Sequence, residues 1–135
     1  MKMEDLTYEA KIAVLRILYD IVNADSVVHE KEVEYMNEMA RFLALGEDYL
    51  EAVANVVTLQ ALTVVRKLAP EVKEQIAGSM GKMIVVDRDI NYNEVKLYNT
   101  LCELCNIEKD FNIKDYPDYT LSGPFVNPED MFDAK

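Results

Sequence analysis

The chain has 135 residues, which fits one domain, and half of them are apolar, which predicts a packed core rather than a disordered chain. Its 25 acidic and 14 basic residues give a net charge of −11. That charge works against binding to nucleic-acid phosphates or to anionic membrane surfaces, and it is compatible with cations and basic partners.

The apolar residues recur at three- and four-residue steps along most of the chain, which predicts successive helices. The first helix is expected from Thr7 to about Asn23, with Leu15, Leu18 and Ile21 among its buried residues. The remaining predicted helices cover about residues 30–43, 47 onward, 59–68, 70–86 and 92–105. We place Val33 on the buried stripe of the second helix and Leu104 on that of the sixth.

Glycine and proline mark two of the helix boundaries. Gly46 follows the second helix, where a residue tolerant of positive φ is preferred. Pro70 is placed in the first turn of the fifth helix, where its missing amide hydrogen is not needed.

The pattern changes after residue 108. Residues 109–135 contain three prolines and several aromatic residues between acids, and only the end, from Asn127, reads as a short helix. We therefore predict a helical domain over residues 1–108 and a C-terminal tail over residues 109–135 that packs on it.

The chain resembles itself at an offset of 62 positions. Residues 24–33 lie over residues 86–95 without a gap. The matched pairs include Asp25 with Asp87, Val28 with Ile90, Glu32 with Glu94 and Val33 with Val95. Each copy reads as helix, short acidic loop and helix. We therefore predict an all-α bundle of about six or seven helices, built from two pseudo-repeated helix–loop–helix halves plus the tail.

The pattern Ala-Asp-x-x-Val-x-x-x-Glu at residues 24–32, with its second copy at 86–94, resembles the TerB-like (tellurite-resistance) family. The resemblance extends over roughly residues 5–107. It implies a helical bundle, acidic residues that bind a metal ion, often calcium, and a part in bacterial stress or tellurite resistance. The family usually has glycine after the aspartate, where this chain has Ser26 and Arg88.

The acidic loops are the candidate metal site, because carboxylate and amide oxygens are the ligands that Ca²⁺ prefers. The predicted ligands are Asp25, Glu32, Asp87, Asp89, Asn91 and Glu94. A purely structural role explains the same positions. Asn91 and Glu94 fit a capping box, His29 and Glu32 stand in the same frame, and loop aspartates often accept amide hydrogens. The sequence leaves both interpretations open.

Asp87, Asp89, Asn91 and Asn93 imitate the first half of an EF-hand loop. An EF-hand also needs glycine at its sixth position and a bidentate glutamate at its twelfth. Here the sixth position is Tyr92, and Tyr98 stands where the glutamate would be. The EF-hand interpretation therefore fails, and a looser oxygen-rich site is what remains.

Three other features are assigned structural roles. Cys102 and Cys105 form a CxxC late in a helix, whereas redox pairs begin one, so we predict buried thiols. His29, the only histidine, matches Asn91 in the repeat and reads as a polar residue at a helix start, with a transition-metal ligand beside the acids as the alternative. The acids at 30, 34 and 38 follow a four-residue step that is typical of a solvated helix face.

No phosphate-binding, dinucleotide, zinc-protease or serine-hydrolase motif is present, so we expect a protein that is not an enzyme. No signal-peptide core or membrane-length apolar run is present either, which predicts a soluble cytoplasmic protein. Its expected role is TerB-like cation binding, with calcium favoured. The alternative is a metal-free acidic module that binds an unidentified protein partner.

Overall fold

The computed structural model describes residues 2–24, 29–108 and 120–122, and it is helical over most of them. Six α-helices and one short strand pair make up the described fold, after a 3₁₀ turn at Met3–Asp5. The helices are α1 (Tyr8–Val22), α2 (Glu30–Phe42), α3 (Tyr49–Ala54), α4 (Thr58–Arg66), α5 (Pro70–Val85) and α6 (Tyr92–Cys105). The strands are β1 (Asp89–Asn91) and β2 (Thr120–Ser122). The predicted all-α class is confirmed.

Helix α1 lies at the centre of the bundle. It contacts each of the other five helices, and nine of its fifteen residues are buried. Thr7 begins the helix, because its Oγ1 accepts a hydrogen bond from the amide of Ala10 at 3.2 Å. The predicted stripe is buried, and so are Val14 and Ile17 outside it. Helices therefore cover α1 on more than one face.

Two residues on the predicted stripes are exposed, so those assignments were wrong. Val33 in α2 and Leu104 in α6 face solvent, although both fit the apolar spacing. Periodicity places a residue on a helix face, but the width of the face that neighbours cover depends on the packing.

The end of α2 is also formed differently from the expectation for Gly46. Ala44 adopts the left-handed conformation, at φ 58°. The amide of Leu45 donates to the carbonyl of Ala40 at 2.9 Å, and that of Ala44 to the carbonyl of Arg41 at 3.0 Å, as in a Schellman turn. Gly46 lies two residues further on and does not supply the positive φ.

A short parallel strand pair was not predicted. Asp89, Ile90 and Asn91 pair with Thr120, Leu121 and Ser122 respectively. The amide of Thr120 also donates to the carbonyl of Arg88 at 2.9 Å. Backbone of the segment 120–122 thus lies against the second loop, while the predicted helix near Asn127 falls outside the described residues. The proposed boundary at residue 108 stays a prediction.

A polar network joins α1 to the chain between α3 and α4. Arg16 Nη1 donates to the carbonyl of Val53 at 3.4 Å, and Arg16 Nε lies 3.2 Å from Asp20 Oδ1. Thr58 Oγ1 donates to Asp20 Oδ2 at 2.7 Å. Arg16 therefore provides donors to the C-terminal end of α3, where carbonyls lack helical partners.

Arg16→Met is expected to lower the free energy of unfolding by about 1–2 kcal/mol, because the thioether keeps the packed stem and removes these donors. Urea denaturation followed by circular dichroism measures the change. Arg41→Met is the matched control, since Arg41 is exposed, and it should stay within about 0.5 kcal/mol of the parent. Equal effects of the two substitutions would contradict a structural role for the Arg16 network.

Candidate metal site

The helix starts follow the offset seen in the sequence. Helix α5 begins at Pro70, 62 positions after the start of α1 at Tyr8. Helix α6 begins at Tyr92, again 62 positions after the start of α2 at Glu30. The loops before α2 and α6 thus hold corresponding positions in two helix–loop–helix units. The repeat itself remains an interpretation of the sequence.

Three side chains from these two loops and helix starts come together, and we call them the His29–Glu32–Asp87 cluster. Each offers one ligand atom, and the three atoms all lie within 4.8 Å of one another. His29 Nε2 is 3.5 Å from Asp87 Oδ2. The cluster takes two residues from the first unit and one from the second.

The backbone holds two members of the cluster in place. Glu32 Oε1 accepts a hydrogen bond from the amide of His29 at 3.2 Å, which is one half of the predicted capping box. Asp87 Oδ1 accepts from the amide of Asp89 at 3.1 Å and forms a tight turn. Asp87 thus uses one oxygen for its loop and directs the other toward His29.

Glu32 is fully buried, and so is its repeat equivalent Glu94, at 0% and 1% exposure. The two carboxyl groups lie within hydrogen-bond reach of each other, and we call them the buried glutamate pair. Such a bond needs a proton on one of them, because an ionised carboxylate only accepts. Without that proton, Glu32 Oε2 is buried with no donor among the described residues.

Burial raises the pKa of Glu32 above its ordinary value. The bonds from Glu94 and from the His29 amide oppose that shift in pKa, while the charge of Asp87 reinforces it. Removal from water is the largest of these effects on the ionised form. A cation beside Glu32 would replace the lost hydration and favour the ionised carboxylate.

The remaining predicted ligands have other partners or are not described. Asp89 Oδ1 accepts a hydrogen bond from Thr120 Oγ1 at 3.2 Å. Asn91 caps α6, because its Oδ1 accepts from the amide of Asn93 at 2.8 Å and from that of Glu94 at 3.4 Å. Asp25 lies outside the described residues. Both interpretations of the loops therefore have support, with capping at Asn91 and clustering at Glu32 and Asp87.

His29 is the member of the cluster that was not among the predicted metal ligands. Its match with Asn91 indicated a helix-start residue, and it does occupy the N-cap position of α2. The signal that could have found it was its three-residue spacing from Glu32, which is one of the predicted ligands.

Arg88, where the family pattern has glycine, adopts φ 63°. A residue with a Cβ in this left-handed region is strained, whereas glycine adopts it freely. Arg88→Gly is expected to raise the free energy of unfolding by about 0.5–1 kcal/mol, as measured by urea denaturation. A loss of stability on this substitution would show that the arginine side chain contributes more than the backbone strain removes.

The other predicted structural features are found as expected. Cys102 and Cys105 are buried thiols, and burial raises the pKa of the Cys105 thiol, which disfavours a reactive thiolate. Glu30, Glu34 and Glu38 are exposed, as a solvated helix face requires. No helix within the described part of the chain is long and apolar enough to cross a membrane.

Comparison with known proteins bears on the first of the two units. Residues 1–55 match the family model described as tellurite resistance protein TerB. The TerB resemblance is confirmed over this segment. The TerB match includes His29 and Glu32, and it ends before Asp87 and Glu94.

The bundle also resembles a solved structure. The crystal structure of a protein of unknown function, PG1108 from Porphyromonas gingivalis W83, matches with a TM-score of 0.67 and 22% sequence identity. The match covers 78% of this chain and 89% of the other. At that identity the likeness concerns the fold alone. A search of curated proteins found no match.

Proposed function

We propose that this protein binds a divalent cation at the His29–Glu32–Asp87 cluster, as a TerB-type protein without enzymatic activity. The observation that carries the proposal is the convergence of three ligand atoms within 4.8 Å, one of them from a fully buried carboxylate. Buried acids are expected to be paired or to coordinate metals, because an isolated buried charge is strongly unfavourable.

The charge balance around the cluster supports the same proposal. Glu32, Glu94 and Asp87 bring three carboxyl groups together, and His29 is the basic side chain in contact with Asp87. A divalent cation would neutralise two of these charges without adding a proton. It would also join the loop before α6 to the start of α2.

Titration calorimetry of chelator-stripped protein with Ca²⁺, Mn²⁺ and Zn²⁺ tests this proposal. We expect saturable binding of at least one ion, with affinity reduced about 10-fold or more in Asp87→Asn. The asparagine keeps the oxygen that accepts from the Asp89 amide, so the turn is retained.

Asp89→Asn is the matched control. It removes the same charge two positions away, from a side chain that is hydrogen-bonded to Thr120. Binding should persist in this variant. Absence of binding to the parent protein, or equal loss in both variants, would contradict a site at the cluster.

The proposed setting is tellurite or related stress resistance in the cytoplasm. The description of the matching family supports the resistance role, and two cysteines that remain thiols suit a reducing compartment. Tellurite tolerance of a bacterial host expressing the parent chain or Asp87→Asn tests it. Equal tolerance with and without the parent chain would count against the role.

A protein-interaction module is the second candidate, favoured by exposed apolar side chains. Val57 and Leu59, at the start of α4, are 63% and 75% exposed, and Leu50 in α3 is also exposed. Val57 and Leu59 are two positions apart in the chain, and neighbouring exposed apolar side chains are typical of interaction sites. A partner retained in the presence of chelator, and lost in Val57→Ser/Leu59→Ser, would support this role.

A further inference from the structure

We infer that the cation is a divalent transition metal of the zinc and cobalt class rather than calcium, with the His29 imidazole as one of its ligands. This inference rests on the proposed function, and it concerns which ions the same cluster selects. Imidazole nitrogen suits zinc, cobalt and nickel, whereas calcium takes oxygen ligands almost exclusively.

The distance between the His29 and Asp87 ligand atoms fits a small ion. A metal that binds nitrogen and oxygen at about 2.0–2.2 Å in tetrahedral geometry holds these two atoms roughly 3.4 Å apart. His29 Nε2 and Asp87 Oδ2 are 3.5 Å apart. One imidazole and two carboxylates also make three ligands of types that zinc accepts, and three is the number of protein ligands at zinc sites that keep a fourth position for water.

Glu32 gives the second, independent sign of a ligand. Its side chain is 0% exposed, and when both acids of the buried glutamate pair are ionised, Oε2 has no hydrogen-bond donor among the described residues. An exposed acidic cluster would be satisfied by water, but this oxygen is shielded from it. A cation bonded to His29 and Asp87 would lie within reach of the Glu32 carboxylate.

Among the described residues, the cluster offers fewer oxygen donors than calcium usually takes. Ca²⁺ takes six to eight oxygen ligands. In the described part of the two loops, Asp89 is hydrogen-bonded to Thr120, and Asn91 caps α6. The cluster itself offers two carboxylates and one nitrogen.

His29→Asn is the decisive substitution, because the chain already has asparagine at the corresponding position of the second unit. Asn91 caps α6 there, so the same residue should cap α2. The change removes the nitrogen ligand and offers an amide oxygen in its place. The variant should thus lose the ligand that distinguishes zinc from calcium and retain the fold.

The experiment is a calorimetric titration of chelator-stripped parent protein and His29→Asn with Zn²⁺, Co²⁺ and Ca²⁺. For the parent, we expect Zn²⁺ and Co²⁺ to bind at least about 10-fold more tightly than Ca²⁺. For His29→Asn, Zn²⁺ and Co²⁺ should bind about 10–100-fold more weakly, with little change for Ca²⁺. A selective loss of this kind supports the inference.

NMR of the parent protein gives a readout that does not depend on any variant. His29 is the only histidine in the chain, so its ring signals are assigned without ambiguity. We expect these signals to move on addition of one equivalent of Zn²⁺ and to be broadened by Co²⁺. Calcium should leave the ring signals in place.

Three results would overturn the inference in distinguishable ways. Binding of Ca²⁺ as tight as that of Zn²⁺, with His29→Asn unaffected, would reject the transition metal and leave the proposed cation site intact. Absence of binding by any of the three ions would reject both. Zinc binding that persists in His29→Asn without movement of the parent ring signals would place zinc elsewhere and reject the inference.

Discussion

Leu18→Ala is expected to lower the free energy of unfolding by about 2–5 kcal/mol, because it removes a fully buried side chain from the central helix. Leu18 is flanked along α1 by other fully buried residues, including Leu15 and Ile17. Since α1 contacts all five other helices, a cavity there has little room to collapse. Urea or thermal denaturation measures the loss.

Tyr8→Ala serves as the control on the same helix. Tyr8 is the first residue of α1 and is 64% exposed, so its truncation should change stability by no more than about 0.5 kcal/mol. A loss for Leu18→Ala as small as that of the control would contradict the central position of α1.

The helices could be predicted because each has an apolar period and a recognisable start or end. Pro70 begins α5, and the start and end of α6 match the sequence prediction. The exposure of Val33 and Leu104 could not be predicted, because it depends on which faces the neighbouring helices cover. The pairing of β1 with β2 joins residues about thirty positions apart, and three-residue strands have no periodicity to detect.

The candidate site was predictable in part, because the repeat relates Asp25 to Asp87 and Glu32 to Glu94. The sequence could not show that Asp87 of one unit contacts the helix start of the other. It also could not show that His29 is the residue that Asp87 contacts, since a single histidine matched to asparagine has no pattern of its own. Asp89 and Asn91 looked equivalent to the other acidic-loop residues, but in the structure Asp89 is hydrogen-bonded to Thr120 and Asn91 caps α6.

Glu32→Gln should abolish cation binding and, in chelator at pH 7, raise the free energy of unfolding by about 1–3 kcal/mol. Glutamine keeps the oxygen that accepts from the His29 amide. Its amide nitrogen can donate to the Glu94 carboxylate, so the buried glutamate pair no longer needs a shared proton. The substitution therefore removes a buried charge that the ion-free protein must otherwise neutralise.

The same reasoning gives a pH dependence with a definite sign. Burial raises the pKa of Glu32 above 4.5, so the folded protein holds this proton more tightly than the unfolded chain. The stabilising contribution of that proton is complete below the unfolded pKa and is lost as pH rises through the folded pKa. In chelator, Glu32→Gln should gain stability relative to the parent as pH rises from about 4.5 toward neutrality.

Glu34→Gln is the matched control, because it removes one carboxylate from the exposed face of the same helix. It should retain cation binding and leave the pH profile of stability parallel to that of the parent.

A Glu32→Gln protein that is less stable than the parent in chelator at pH 7 would mean that ionised Glu32 stabilises the fold by itself. The buried glutamate pair would then stabilise the fold without a metal. Its burial would no longer indicate a bound cation. If Glu32→Gln is instead more stable and fails to bind, the chain retains a destabilising acid because the cation needs it.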